Sequence, residues 1–176
     1  MRAKCLNNSF HLLAIFMVLV STVQVAGLAE EDPFQSADGV VEELYDLVTF
    51  DAGTVPDWEK VRSLFIATGV VVLRTSRQDT TVFSVQGFID DFVRFIEQAD
   101  VKETGFKEEI KRMKPMVFGD MATVLVLYEA SIPGRMRTPQ QGVDSFSLIR
   151  KDGRWWIVSI VNEIPTSSNP LPKELE

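Results

Sequence analysis

A chain of 176 residues that is 45% apolar and 24% charged is neither disordered nor fibrous, and its length suits one domain with a real core. Its formal net charge of −7 argues against the basic face that nucleic acid requires and against a polybasic grip on anionic lipid. The one histidine and the one cysteine, His11 and Cys5, both lie in the first 29 residues.

That first stretch reads as a secretory signal. Arg2 and Lys4 are its only charges, Phe10 to Val20 is an almost wholly apolar run, and Gly27-Leu28-Ala29 offers small residues at a peptidase site. The alternative is an uncleaved anchor, because Phe10 to Ala29 is just long enough to span a bilayer, at about 20 residues. Ser21, Thr22 and Gln24 and the lack of a basic stop-transfer cluster favour cleavage. The expected product is secreted or periplasmic. Losing Arg2 and Lys4 takes its net charge from −7 to −9 and leaves it without histidine or cysteine, so without a disulfide.

Residues 30–38 read as a flexible leader and residues 39–164 as the domain. Val40, Val41, Leu44, Leu47 and Val48 recur at helical spacing, with Glu42, Glu43 and Asp46 opposite, which predicts an amphipathic helix over 40–50. Thr54-Val55-Pro56-Asp57 has the form of a second helix start, with Trp58, Val61, Leu64 and Phe65 on one side and Gly69 as the stop. The β-branched run 70–73 predicts a buried strand, with 80–83 as its partner. Ser84 caps a predicted third helix over 85–98, striped by Phe88, Ile89, Phe92, Val93 and Ile96.

From there strands dominate: 106–116, 121–130, 143–150 and 154–164. Lys151-Asp152-Gly153 joins the last two, and Asp-Gly between β-rich runs is a strong hairpin signal. The Pro-rich segment 165–176 reads as an irregular tail, docked or loose. Three helices cannot cover both faces of such a sheet, so they should pack on one.

This order, with DWEKVRSLF at the second helix and SLIRKDGRWWIVSIV at the last hairpin, resembles the nuclear-transport-factor-two-like superfamily. That superfamily includes SnoaL-like cyclases, ketosteroid isomerase and scytalone dehydratase. The resemblance covers roughly Val40 to Ile164. It implies an α+β cone: a strongly curved, mixed or antiparallel sheet with three helices on its concave side and a cavity between them. It implies no reaction, because function resides in the site. Enzymes of the superfamily commonly use an aspartate with a histidine, or an aspartate with a tyrosine and a protonated acid. Residues 30–176 hold no histidine, and Ser159 and Val161 stand where many relatives carry one.

The composition of residues 30–176 excludes a serine–histidine triad and a cysteine nucleophile. No zinc, calcium or phosphate-loop pattern occurs, so neither metal nor cofactor is expected. Three side chains are candidates for proton transfer: Glu129 and Asp144 as a base, and Tyr45 as the donor. Glu129 would serve only if Leu125, Leu127 and Glu129 form the inner face; otherwise it is a surface acid, paired with Arg135 or Arg137. Tyr45 would polarise a carbonyl by the same resemblance, or sit in the core with its hydroxyl at the rim. Arg135 and Arg137 form either an anion site at the cone mouth or a solvated tip.

An apolar pocket is expected from Tyr45, Phe65, Phe88, Phe92, Tyr128 and Trp155, with Ser159 beside them. The last strand looks apolar on both faces, so Trp156, Val158 and Ile160 should meet a second copy across the outer face of the sheet, or else the tail. Two functions stay open: binding of a small apolar or amphipathic ligand by an exported, homodimeric accessory module, and proton transfer by an isomerase or dehydratase.

Overall fold

The structure is a computed structural model that describes residues 32–74 and 79–176. The signal or anchor reading of residues 1–29 lies outside the described residues, as does the start of the leader. Among the described residues no helix is long and apolar enough to cross a membrane.

Three helices and seven strands follow in the order α1 (Ala37–Val48), β1 (Phe50–Asp51), α2 (Trp58–Ser63), β2 (Phe65–Arg74), β3 (Thr80–Ser84), α3 (Val85–Gln98), β4 (Gly105–Phe118), β5 (Met121–Ser131), β6 (Gln140–Lys151) and β7 (Arg154–Glu163). Short 3-10 turns at Pro33–Gln35 and Lys173–Leu175 flank them. The strands form one sheet in the order β1-β4-β5-β6-β7-β2-β3. Every neighbouring pair is antiparallel except β2 with β7, so the sheet is mixed.

The helices start where side chains satisfy their first amides. Ser36 accepts from Gly39 N, Asp57 from Lys60 N and Ser84 from Gly87 N. The first helix therefore begins at Ala37, ahead of its apolar stripe, and Pro33–Gln35 of the leader forms a 3-10 turn capped by Asp32. Arg154 stacks over the rings of Phe34 and Trp156 at 3.5 and 3.8 Å, fixing that turn against β7.

The second helix differs from expectation. Its cap is Asp57, while the Thr54 hydroxyl turns back to the Asp51 carbonyl. It ends at Ser63, because Phe65 pairs with Ile157 as the first residue of β2. Gly69 stops no helix; it lies in the irregular stretch of β2 between Phe65 and Val70. Tertiary pairing to β7 outweighs the local helical pattern here.

The main core lies between the helices and the inner sheet face, and Phe50, Ile96, Val101 and Phe106 form a smaller second cluster. Val40, Val41, Val61, Leu64, Val124, Val126, Phe146 and Ile157 are wholly buried in the main core. Burying each of the larger ones stabilises the fold by roughly 1.5–3 kcal/mol. At the tail, Leu175 is buried and its 3-10 turn packs against β4.

The phase of the strands decides which residues look inward. On β5 the inner set is Ala122, Val124, Val126 and Tyr128, so Leu125, Leu127 and Glu129 face outward. On β7 Ser147 pairs with Ser159 but Leu148 pairs with Ile157, so Val158 is an extra residue, a β-bulge. The bulge reverses the alternation. Trp155, Ile157, Ile160 and Asn162 all point inward, and Trp156, Ser159 and Val161 point outward. Ile160 therefore belongs to the core and not to an outer dimer face. A second bulge, at Lys111, shifts β4 in the same way.

Candidate functional site

The inner face closes around a cavity of about 200 Å³. Its apolar wall comes from Leu44, Val48, Val71, Leu73, Phe88, Phe92 and Ile160, and its polar end from Tyr45, Glu108, Tyr128, Asp144 and Asn162. Arg74, Gln140 and Ile164 complete the lining.

The polar end is built by register. Strands β5, β6 and β7 place Val126 opposite Asp144, and Asp144 opposite Asn162, on the inner face. Helix α1 lays Tyr45 across them. The Tyr45 hydroxyl donates to Asp144 Oδ2 at 2.7 Å, and Asn162 Nδ2 donates to Asp144 Oδ1 at 2.7 Å. The same Asn162 amide lies 3.0 Å from the Tyr128 hydroxyl, to which it donates. Both oxygens of Asp144 are thus held by donors, which fixes the carboxyl plane.

Tyr128 fits because of what faces it. Its partner on β6 is Gly142, where an added Cβ would lie 2.2 Å from the tyrosine ring. Only a residue without a side chain lets the ring lie over β6.

Glu108 enters from β4 between Phe106 and Ile110, which share its face. Thr49 pins its backbone, accepting from Glu108 N at 3.0 Å and donating to Glu108 O at 3.1 Å. Among the described residues no side chain bonds to its carboxyl.

Burial perturbs both acids, by unequal amounts. Desolvation, with a smaller contribution from the charge of Asp144, pushes Glu108 up to about 8. Desolvation also lifts Asp144, to about 6, held back by the bonds from Tyr45 and Asn162. The two phenols are driven upward by desolvation and by the nearby carboxylates, so they remain neutral donors. Near neutral pH this puts an ionised Asp144 beside a protonated Glu108. Arg74, at the rim, is bound by Glu163 through two guanidinium nitrogens.

The structure brings together Tyr45, Phe88, Phe92, Tyr128 and Asp144 from the expected set. It separates the others. Phe65 and Trp155 are buried in the core beside the cavity without lining it, and Ser159 is turned to the outer face by the Val158 bulge. Glu129 is on the outer face, where Gln141 and Lys111 hold its carboxyl at 3.1 and 3.2 Å and keep its pKa below the usual range. It is a surface acid, although its partner is Lys111 and not an arginine. Arg135 donates to the carbonyl of Ala99 at the end of α3. Among the described residues no group of three or more histidine, cysteine, aspartate or glutamate side chains converges to hold a metal.

Sequence reasoning missed Glu108 and Asn162. A signal existed for Glu108: it replaces an apolar residue in the alternation Phe106-x-Glu108-x-Ile110. None existed for Asn162, whose face depends on the bulge.

No protein-family model matches the chain, and no curated protein matches it. Solved structures do. An NTF2-like protein of unknown function from Pseudomonas putida KT2440 superposes with a TM-score of 0.57 at 11% identity, over 79% of this chain and 92% of that one. An NTF2-like protein with a cystatin-like fold from Novosphingobium aromaticivorans gives 0.58 at 15%, over 74% and 81%. A putative calcium/calmodulin-dependent protein kinase type II association domain from Thiobacillus denitrificans gives 0.59 at 9%, over 76% and 98%. At such identities the likeness is one of fold. The chain has the NTF2-like α+β fold: three helices on a curved, mixed, seven-stranded sheet.

Proposed function

We propose that this chain binds a small amphipathic molecule in the inner cavity, apolar body against Phe88, Phe92 and Val71 and polar end at the carboxyls. The observation that carries the reading is the mixed lining: Tyr45, Tyr128, Asp144 and Asn162 form one hydrogen-bonded cluster in a cavity walled largely by apolar side chains. Native mass spectrometry of the protein purified from its own host tests it. A retained small molecule that is lost on replacing Phe92 by Trp, which would fill the cavity, is expected. Release of the same molecule from both proteins alike sinks the reading.

A second reading, proton transfer, is supported by the unequal carboxyls. Asp144 would be the base and the protonated Glu108 the acid, with Tyr45 fixing Asp144 and not donating directly to substrate. Exchange of the α-hydrogens of acetophenone in D2O, followed by NMR, tests it: exchange that vanishes in Asp144→Asn supports it, and none above solvent background refutes it.

Two further features belong to the proposal. The outer face carries exposed Val70, Met116, Phe118, Met121 and Val161 near Trp156, and a second copy would cover it. Sedimentation should give a dimer that Val161→Asp dissociates, and a monomeric wild type would refute this. Residues 1–29 would direct export, which N-terminal sequencing of the mature protein checks.

A further inference from the structure

The cavity is unusual in which charges it holds. Among the described residues that line it are two carboxyls, Glu108 and Asp144, and one cation, Arg74, which is bound to Glu163. Asp144 has a donor on each oxygen, from Tyr45 and Asn162. Among the described residues Glu108 has none, and desolvation and the Asp144 charge raise its pKa. A carboxyl that faces a hollow and meets no side-chain donor among the described residues can accept a ligand N–H.

The surrounding rings point the same way. Tyr45 and Tyr128 meet with centroids 5.9 Å apart, and Phe88 and Phe92 meet edge to face at 5.9 Å, all four on the cavity wall. Aromatic faces attract a cation through their quadrupoles, and carboxylates do so directly. An anion would meet two acids in the same hollow.

We propose that the cavity selects an organic ammonium ion, its charged head at Glu108 and Asp144 and its apolar body among the rings of Tyr45, Tyr128, Phe88 and Phe92. This rests on the reading of the cavity as a ligand site and names the class of its ligand. The choice of class comes from two carboxyls facing one aromatic-lined cavity. Binding shifts the proton inventory as well. Glu108 is protonated at neutral pH in the free protein, and a cation beside it draws the carboxyl into its ionised form, so uptake of the ammonium releases a proton. Among the described residues the other titratable or charged groups lining the cavity are Asp144 on β6, Tyr45 on α1, Tyr128 on β5 and Arg74 on β2.

Isothermal titration calorimetry with three probes of one shape tests the inference: 2-phenylethylammonium, neutral 2-phenylethanol and anionic 3-phenylpropanoate. The ammonium should bind tightest, by about tenfold or more over the alcohol. Its heat in two buffers of different ionisation enthalpy should show proton release at pH 7. Glu108→Gln, isosteric and neutral, should remove both the preference and the release while still binding the alcohol. Asp144→Asn should weaken the ammonium as a second check, should the first variant be poorly folded. If the alcohol binds as well as the ammonium, the amine inference fails and the amphipathic reading stands. If the propanoate binds tightest, the inference fails in favour of an anion site. If none of the three binds, the inference falls together with the reading beneath it.

Discussion

Replacing Glu108 by glutamine should make the protein more stable, and only above a definable pH. In the unfolded chain the carboxyl ionises at its ordinary 4.5, and in the folded protein desolvation and Asp144 delay ionisation to about 8. Between those values the folded state holds a proton that the unfolded state has lost. Wild-type stability therefore falls as pH rises through this window and reaches its plateau of loss above it. At about 1.4 kcal/mol per pH unit, the penalty at about pH 9 is roughly 3–5 kcal/mol. Glutamine titrates in neither state and keeps the volume, so the variant escapes the penalty. Asp144 titrates in both proteins and, to first order, cancels in the difference. Urea unfolding at a series of pH values gives the assay. The two proteins should coincide below about pH 4.5 and diverge upward from there, the variant being the more stable. Parallel pH profiles across the whole window would refute the burial of the Glu108 carboxyl, and with it the split between the two acids.

Other perturbations follow from the same contacts. Tyr45→Phe removes the 2.7 Å donor to Asp144 and should raise that carboxyl above about 6, read by NMR titration of its side-chain carbon. Where Asp144 is ionised the lost bond should cost roughly 1.5–3 kcal/mol, and less in acid, by denaturant melts at both extremes. Gly142→Ala drives a methyl into the Tyr128 ring, so it should destabilise by about 1–3 kcal/mol and alter the near-UV circular dichroism of the tyrosines. Ser84→Ala deletes the 3.1 Å bond that caps α3 and should cost about 1 kcal/mol in thermal unfolding without disturbing the near-UV signal.

Much of the fold was legible in the sequence because its elements are locally consistent. The Ser84 cap followed by the stripe of Phe88, Ile89, Phe92 and Ile96 gave α3 its observed limits. Lys151-Asp152-Gly153 gave the last hairpin, with Gly153 at a φ of 80° and Asp152 at 54°. The site was harder to read, since it depends on which face of a strand is inner. Strand β5 is apolar in both phases, Val124, Val126 and Tyr128 in one and Leu125 and Leu127 in the other, so periodicity alone could not tell Tyr128 from Glu129. Asp144 was found and Glu108 missed for a related reason. Glu108 sits in a charged run, Lys107-Glu108-Glu109, in which only its alignment with Phe106 and Ile110 marks it as inward-facing.

The extra residue at Val158 has a consequence for how chains of this architecture can diverge. It acts as a parity switch on the closing strand: whatever follows it is read out on the opposite side from what simple counting gives. Removing Val158 itself would straighten the strand yet leave Asn162 clamping Asp144, because Ile157 and Ile160 would then alternate regularly. Sliding the irregularity past position 162 would instead bring Ser159 and Val161 to the interior and expel Ile160 and Asn162. Moving that one extra residue along the strand can thus re-line the hollow wholesale, a larger chemical step than any single substitution within it.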